Sequence, residues 1–385
     1  MPPHSPTAGA RAPRRTLFAF PNRTRPAMPP RTDAALIGAA LIAAALAWPG
    51  AAAAGGFDMT LGGFMTQWIG YASTDAGGGE DVSGFDTQAD AEIHFIAHTN
   101  LDNGLKVGVQ VQLEAETSDD QIDEAFLFLR GDFGELLLGS EDGAAYAMHY
   151  GVASQGIGLD DGEAGNWILG VSAELFTTAT FFFRDDDANK VRYLSPRVAG
   201  FQFGVSYAPE GVEDDDAFPT EAKNDGTTAE QIVQAAVNYE HTFGDLSVAA
   251  SLGTEVFGDT NGTSGQGAYI VASGLELGYG PFGASFAVSY ENEPTVGFEE
   301  RTVAGGSVFY ASGPTGVSLA LIYGTADATG GGDDADQVSV ELGGHYDLGP
   351  GVSAQASVYY VDYDAGTGGR DSSGFAAVGG ITLAF

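Results

Sequence analysis

Apolar side chains fall on nearly every second position from Phe57 to the carboxyl terminus at Phe385. In Leu105–Leu113, for example, Leu and Val alternate with Lys, Gly and Gln. Strand side chains alternate between the two faces of a sheet, so this period predicts strands rather than helices. Sixteen segments follow the pattern: 57–73, 88–101, 105–116, 121–132, 134–141, 189–195, 200–208, 230–243, 245–258, 267–280, 282–293, 301–312, 315–325, 335–348, 351–364 and 374–385.

The connections between these segments alternate in length. Short turns rich in Gly, Pro, Asn and Asp lie at Asp102–Gly104, Gly131–Gly134, Ser195–Gly200, Phe243–Asp245, Gly280–Gly283, Ser312–Gly316 and Leu348–Gly351. Longer connections, acidic and Gly-rich, lie at 74–87, 142–188, 209–229, 259–266, 294–300, 326–334 and 365–373. Only the connection near Ser118–Asp120 is short on that side. A meandering transmembrane barrel requires this alternation, and sixteen strands leave an aqueous channel.

The last segment ends on an aromatic residue, Phe385. A soluble sheet rarely leaves such an edge open, whereas a closed barrel in a membrane removes the edge and carries aromatic girdles. Aromatic side chains occupy similar positions in many segments: Tyr207, Tyr239, Phe243, Tyr269, Tyr279, Phe282, Tyr290, Tyr323, Tyr346 and Tyr360. The predicted fold is all-β, a 16-stranded antiparallel transmembrane β-barrel with a polar interior. A soluble β-sandwich, which also alternates, is the alternative.

A short apolar segment, Ala34–Trp48, follows a basic flank and precedes a run of small residues. This layout is typical of a cleavable secretory signal peptide, and the segment is short for a transmembrane helix. We expect cleavage after Ala54, with Met28 as an alternative translation start. Residues 1–54 are thus predicted to be an extension and signal peptide, and residues 55–385 the barrel of an exported outer-membrane protein.

The composition limits the partners. Asp and Glu number 52 against 15 Lys and Arg, a formal charge of −37. Nucleic acid is excluded as a predicted partner, because its binding depends on neutralising phosphates. Cations, and divalent bridges to anionic lipid such as lipopolysaccharide, are the expected partners. An acidic surface that is simply solvated is the alternative. The chain contains no Cys, so disulfides and thiolate chemistry are excluded.

The longest connection, 142–188, is too long for a simple hairpin. It combines apolar runs at Trp167–Val171 and Phe181–Phe183 with carboxylates at and near its start: Glu141, Asp142, Asp160, Asp161 and Glu163. A fully solvated loop does not need the apolar residues. We therefore expect this third long loop to fold into the lumen, pack against the wall and present its carboxylates at the narrowest point. A surface lid outside the barrel is the alternative.

Several segments resemble the core of a known family. They are Ile122–Leu129, Gly131–Leu136 with Leu138-Gly139, Asn189–Pro196, Gly200–Ala208 and the terminal Phe385. They look like the Gram-negative trimeric porins, in particular those of the alphaproteobacterial type, and the resemblance spans the mature chain. It implies a homotrimer, an inward third loop that forms the constriction, and recognition of Phe385 by the outer-membrane assembly machinery.

One position departs from the family pattern. Porins of this type often carry Arg after the Leu-Gly of the fifth strand, where this chain has Ser140. The remaining basic candidates on lumen-facing positions are Lys106, Arg130, Lys190 and Arg192, with His94 and His98 on a neighbouring strand. The lumen wall that faces the acidic loop therefore carries less positive charge than in those porins. A lumen rich in carboxylates favours cations.

Other chemistry is weakly indicated. Glu92, His94 and His98 share one strand face, but lumen residues have the same spacing, so no metal site is predicted. Calcium at acidic clusters of the outer loops is an alternative to simple solvation of those clusters. They are Asp119-Asp120, Asp185–Asp187, Asp214–Asp216 and Asp333-Asp334. No cofactor is otherwise expected, and no nucleophile motif suggests an enzyme.

The sequence therefore predicts an outer-membrane porin for passive diffusion of small hydrophilic solutes and ions, with a preference for cations. A substrate-selective porin, a non-transporting surface or adhesion barrel, and an outer-membrane enzyme are the alternatives.

Overall fold

The computed structural model describes residues 56–75, 82–115, 121–160, 163–168, 179–211, 229–258, 268–292, 298–328, 332–366, 369 and 371–385. The expected extension and signal peptide, residues 1–54, lie outside the described residues. Within them, no helix has the length and hydropathy of a membrane span.

The described residues form sixteen strands. They are β1 (Asp58–Asp75), β2 (Val82–Asn100), β3 (Lys106–Glu114), β4 (Ala125–Gly131), β5 (Gly134–Ser140), β6 (Asn189–Leu194), β7 (Phe201–Glu210), β8 (Glu230–Phe243), β9 (Leu246–Gly258), β10 (Ala268–Tyr279), β11 (Phe282–Asn292), β12 (Phe298–Ser312), β13 (Thr315–Ala328), β14 (Ala335–Gly349), β15 (Val352–Asp364) and β16 (Ser372–Ala384). A short α-helix, α1 (Ala144–Ala147), and a 3₁₀ turn (Glu163–Asn166) lie between β5 and β6.

Each strand pairs antiparallel with the next, and β16 pairs with β1 to close the barrel. The closing register runs from Phe64 opposite Ala384 to Asp75 opposite Ser373. Every strand of the predicted set is present, and β8 matches at both ends. The predicted fold class is confirmed. Closure satisfies the backbone groups at every edge, which a strand in lipid requires.

The largest difference from the predicted bounds lies at β2. This strand begins at Val82, so the second half of the predicted connection 74–87 is strand. Val82–Thr87 pairs with Ile69–Thr74 of β1. The pattern in this stretch is interrupted by Gly84 and by polar residues on both faces, so the pairing with β1, rather than the local sequence, extends the strand.

The register assigns the two faces of the wall. Large apolar side chains such as Leu252 and Val256 point outward and are exposed, whereas their neighbours Ser251 and Glu255 point inward. In β16 the exposed face carries Phe375, Ile381, Leu383 and, beyond its end, Phe385, as the period-two pattern predicts. The outward face is the one that meets lipid.

The inward face is not polar throughout, contrary to the prediction. Along β11–β16 it carries buried apolar residues, among them Val303, Ile322, Val361 and Val378. These residues form one apolar cluster with side chains of the β5–β6 connection: Val152, Leu159, Ala164, Trp167 and Ile168. Because the connection covers this part of the wall, the inward side chains are shielded from channel water and do not need to be polar.

Candidate functional site

The connection between β5 and β6, residues 141–188, is called the inner loop below, and its described parts lie inside the barrel. Its described parts are 141–160, 163–168 and 179–188. Its backbone amides donate hydrogen bonds to a series of inward serines on alternate strands. They are Ala144 N to Ser206 Oγ (2.9 Å), Tyr150 N to Ser251 Oγ (2.9 Å), Ala153 N to Ser285 Oγ (2.8 Å), Gln155 N to Ser318 Oγ (2.8 Å) and Ile157 N to Ser357 Oγ (2.9 Å). The loop therefore follows the wall from β7 to β15.

Two longer polar side chains add to these attachments. Glu341 on β14 accepts hydrogen bonds from Gly158 N (3.0 Å) and Ser357 Oγ (2.5 Å). Gln234 on β8 accepts a hydrogen bond from Ala145 N (2.6 Å) through its carbonyl oxygen. Its amide nitrogen donates to Asp185 Oδ1 and to Glu255 Oε2, both at 2.6 Å. Gln234 thus joins the two ends of the inner loop to the wall.

Small inward residues leave room for the loop. A Cβ added at Gly274 of β10 would overlap the carbonyl oxygen of Tyr150, and one at Gly70 of β1 would overlap the Trp167 ring. In β12, a Cβ at Gly305 would lie 2.9 Å from a methyl group of Val152. The concentration of small inward residues along β7–β16 is the sequence signal that could have located the path of the loop, because close backbone approach requires such residues.

The carboxylates at the start of the loop lie beside basic residues of β6. Arg192 forms an ion pair with Glu141, and its Nη2 lies 3.4 Å from Glu135 Oε1. Lys190 Nζ lies 3.8 Å from Asp185 Oδ2 and donates to the carbonyl oxygens of Asp185, Glu141 and Asp186. Lys190 is 4% and Arg192 5% exposed. The predicted parity of both bases is right, but they neutralise the loop's own acids instead of facing them across the lumen.

Asp160 differs from its predicted position at the constriction. Its side chain is buried, and its carboxylate accepts hydrogen bonds from Val152 N (2.5 Å), Thr180 N (2.8 Å) and Thr180 Oγ1 (2.8 Å). It therefore joins the outgoing and returning parts of the inner loop. Asp161 lies outside the described residues, and for Glu163 only the backbone is described.

More carboxylates gather at the base of the loop than the bases can pair with. Burial, followed by the neighbouring charges of Glu141 and Asp142, raises the pKa of Glu124 to about 9. Burial and Glu141 raise the pKa of Asp142 to about 8. Burial and Asp186 raise the pKa of Asp187 to about 7. These carboxyl groups therefore titrate between about pH 7 and 9.

Comparison with known proteins places the chain in a family. A family model described as Gram-negative porin matches residues 39–366. The chain belongs to the Gram-negative porins. Their location and channel architecture apply to it: it is an outer-membrane porin whose barrel encloses a channel. No curated protein sequence matches it significantly.

Solved structures show the same fold at low identity. An anion-selective porin from Comamonas acidovorans gives a TM-score of 0.59 at 17% identity, over 86% of this chain and 100% of that one. The outer-membrane channel DcaP of Acinetobacter baumannii gives 0.57 at 14%, over 86% and 98%. OmpT of Vibrio cholerae, in its trimer form, gives 0.54 at 16%, over 86% and 100%.

The other basic candidates of this porin occupy inward positions near the short-turn end. Lys106 lies opposite Arg130 in the β3–β4 register. Arg130 forms an ion pair with Glu135, and its guanidinium lies 4.2 Å from the centre of the Phe128 ring. Half of the Arg130 side chain is exposed. Accessible positive charge therefore lies at the short-turn mouth, away from the inner loop.

The two predicted histidines lie on β2 and have acidic neighbours. His94 Nε2 is 2.6 Å from Glu92 Oε2, and His98 Nε2 is 4.0 Å from Asp58 Oδ2. Among the described residues, no group of three or more His, Asp or Glu side chains is arranged to hold a metal ion. By register, both histidines lie on the inward face of β2.

The acidic clusters assigned to outer loops have different positions. Asp185–Asp187 lies at the base of the inner loop, with Asp185 buried beside Lys190, so its outer placement was wrong. Asp119-Asp120 and Asp214–Asp216 lie outside the described residues. At Asp333-Asp334, Asp334 Oδ1 accepts a hydrogen bond from Ala328 N at 3.0 Å, which connects β13 to the start of β14.

The wall of β2 carries carboxylates that are open to water. Asp86 and Asp90 point inward by register and are exposed. In the parts of the chain that the structure describes, neither has a basic side chain within ion-pair distance. The accessible charge of this wall is therefore negative towards the long-loop end.

Proposed function

We propose that this porin is a passive diffusion channel for small hydrophilic solutes and ions that prefers cations. The observation that carries the proposal is the difference in accessibility between the two signs of charge. The bases beside the inner loop, Lys190 and Arg192, are buried and paired, whereas Asp86 and Asp90 of β2 are exposed and unpaired with a base.

Accessible charge determines the energy of an ion in the lumen. A carboxylate in contact with channel water lowers the energy of a passing cation, and a buried neutralised base offers little attraction to an anion. The neighbour from Comamonas acidovorans is described as anion-selective. At 17% identity that likeness concerns the fold. Selectivity depends on lumen side chains, which the fold does not dictate.

The test is the zero-current potential of the mature porin in planar bilayers under a KCl gradient. We expect the sign that indicates potassium preference. In the double variant Asp86→Asn/Asp90→Asn, the preference should decrease, because two accessible charges are removed. Asp245→Asn, in the short turn between β8 and β9, is the matched control and should leave the potential near that of the wild type. Chloride preference in the wild type would overturn the proposal.

We also propose that the porin acts as a homotrimer embedded in outer-membrane lipid and lipopolysaccharide. Family membership supports this assembly, and one structural neighbour is described in its trimer form. Native mass measurement in detergent tests it directly. A mass of three chains is the expected result, and a mass of one chain under conditions that keep the barrel folded would contradict it.

A further inference from the structure

Three aromatic rings of the inner loop are partly exposed inside the barrel. They belong to Tyr146, Phe181 and Phe183, and we call them the aromatic platform. The ring centres of Tyr146 and Phe181 are 5.0 Å apart, those of Tyr146 and Phe183 5.7 Å, and those of Phe181 and Phe183 6.4 Å. Because the inner loop lies inside the wall, the exposed parts of these rings face the channel rather than lipid.

The need for a packed core does not explain the platform. Phe182, between the two platform phenylalanines, is 1% exposed and packs against the wall near Gly253, beside Ala145. Phe181 and Phe183 share the opposite side of this segment. They contact Tyr146 of α1. One phenylalanine thus anchors the segment, and two leave apolar ring surface in water, which costs free energy unless a ligand covers it.

Two acidic residues follow the platform closely in the chain. Asp186 is exposed and Asp187 partly exposed, three and four residues after Phe183. The nearby base Arg184 extends to the wall, where it pairs with Glu291 of β11 and lies over the Phe257 ring at 5.6 Å. His149, whose ring centre is 4.9 Å from that of Phe181, is buried. Burial lowers the pKa of His149 to about 4, so it adds no positive charge at neutral pH.

We propose that the aromatic platform binds small organic cations that carry a planar ring, and so gives this porin selectivity within the cations. This inference rests on the proposed cation preference and adds a solute class to it. Aromatic rings favour a second ring in stacked or edge-to-face contact, and they attract a cation over their face. Asp186, which is exposed, supplies a carboxylate that complements the charge of the same solute. A ring and an ammonium group joined by a short linker match both features.

The test compares two probes of equal charge and similar size. Phenethylammonium carries a planar ring, and 2-cyclohexylethylammonium carries its saturated counterpart. Both are added to the mature porin in planar bilayers, and the concentration that blocks half of the potassium current is measured. We expect phenethylammonium to block at a concentration about fivefold lower, because only its ring interacts with the aromatic faces.

Variants assign the difference to the platform. In Phe181→Leu/Phe183→Leu, the ratio of the two blocking concentrations should approach one, since leucine keeps the apolar volume but removes the rings. The ratio does not depend on the absolute conductance. Phe286→Leu, on the exposed outward face of β11, is the control and should keep the wild-type ratio. If the double variant does not assemble, Tyr146→Leu gives a second measurement and should lower the ratio.

The outcomes separate this inference from the proposed function. Equal block by both probes in the wild type would overturn the platform as a binding site, and so would a ratio that survives loss of the rings. If the wild type prefers potassium in the KCl gradient but both probes block it equally, the proposed cation preference is supported and only the platform is refuted as a binding site. Chloride preference of the wild type in the KCl gradient would refute the proposed cation preference itself.

Discussion

The guanidinium of Arg192 on β6 forms an ion pair with the carboxylate of Glu141, the residue that follows β5. The two strands are neighbours in the barrel, so the pair closes the base of the inner loop. The inner loop leaves and rejoins the wall at this point. A base that the sequence placed on the lumen wall therefore serves to hold the loop.

Replacement of Arg192 should destabilise the porin strongly. Arg192→Met leaves the partly buried Glu141 beside other carboxylates without its partner, and loss of one member of a buried pair costs about 3–5 kcal/mol. Urea unfolding of the refolded porin in detergent measures the free energy. Arg130→Met is the control, because half of that side chain is exposed and its pair with Glu135 should contribute about 0–1 kcal/mol. Equal losses of unfolding free energy in both variants would contradict the role of Arg192 in holding the inner loop.

Cation preference should fall as the pH is lowered. The carboxyl groups of Glu124, Asp142 and Asp187, with pKa values raised to about 9, 8 and 7, gain protons between about pH 9 and 6. Each proton removes one negative charge from the base of the inner loop. Reversal potentials in a KCl gradient from pH 9 to 5 measure the change. Asp142→Asn/Asp187→Asn should flatten the upper part of this curve, and an unchanged curve would refute the role of these groups.

The same groups should make the porin less stable as the pH rises. A carboxyl group whose pKa is raised on folding binds more protons in the folded than in the unfolded state, so stability falls with rising pH between the two pKa values. For Asp142 this window extends from about 4 to about 8. Unfolding midpoints in urea at pH 5, 7 and 9 should decrease in that order. In Asp142→Asn the decrease should be smaller, and a rise in the wild type would contradict the mechanism.

Gly274 should be required for the seating of the inner loop. In Gly274→Ala the new methyl group would overlap the carbonyl oxygen of Tyr150, so the loop must move away from β10. We expect more current noise in single-channel recordings of the folded variant. Gly379→Ala in β16 is the matched control, because its nearest neighbour atom would lie at 3.7 Å, an ordinary contact. Equally quiet currents in both variants would show that the loop tolerates the change.

Phe385 should contribute to assembly more than to the stability of the finished barrel. Its backbone is paired with Gly63 of β1 (Phe385 N to Gly63 O, 3.0 Å), whereas the residue is 69% exposed on the outward face. Phe385→Ala should lower the amount of porin in the outer membrane and leave the unfolding midpoint of refolded protein nearly unchanged. Phe375→Ala, on the same face of β16, is the control for loss of an outward ring. Equal outer-membrane levels in the two variants would argue against an assembly signal.

Local pattern was enough to identify the wall. Alternation at period two predicted β8 at both of its ends, and the turn residues between strands predicted the meander. These features depend on each strand and its immediate neighbours, so a single sequence contains them. The pattern failed at Val82–Thr87, where pairing with β1 rather than side-chain alternation makes the strand.

What the sequence determined by itself is the all-β class, the number of strands, the outward face and the parity of Lys190 and Arg192. Only the tertiary structure decided what those inward side chains meet. Ser251 and Gly274 look like lumen residues in sequence, yet they seat the inner loop, and Arg192 pairs with an acid 51 positions earlier in the chain. The physical reason is that the face on which a side chain lies follows from the geometry of its own strand. Whether that side chain is buried, and which charge neutralises it, depends on a long segment that folds back across the wall.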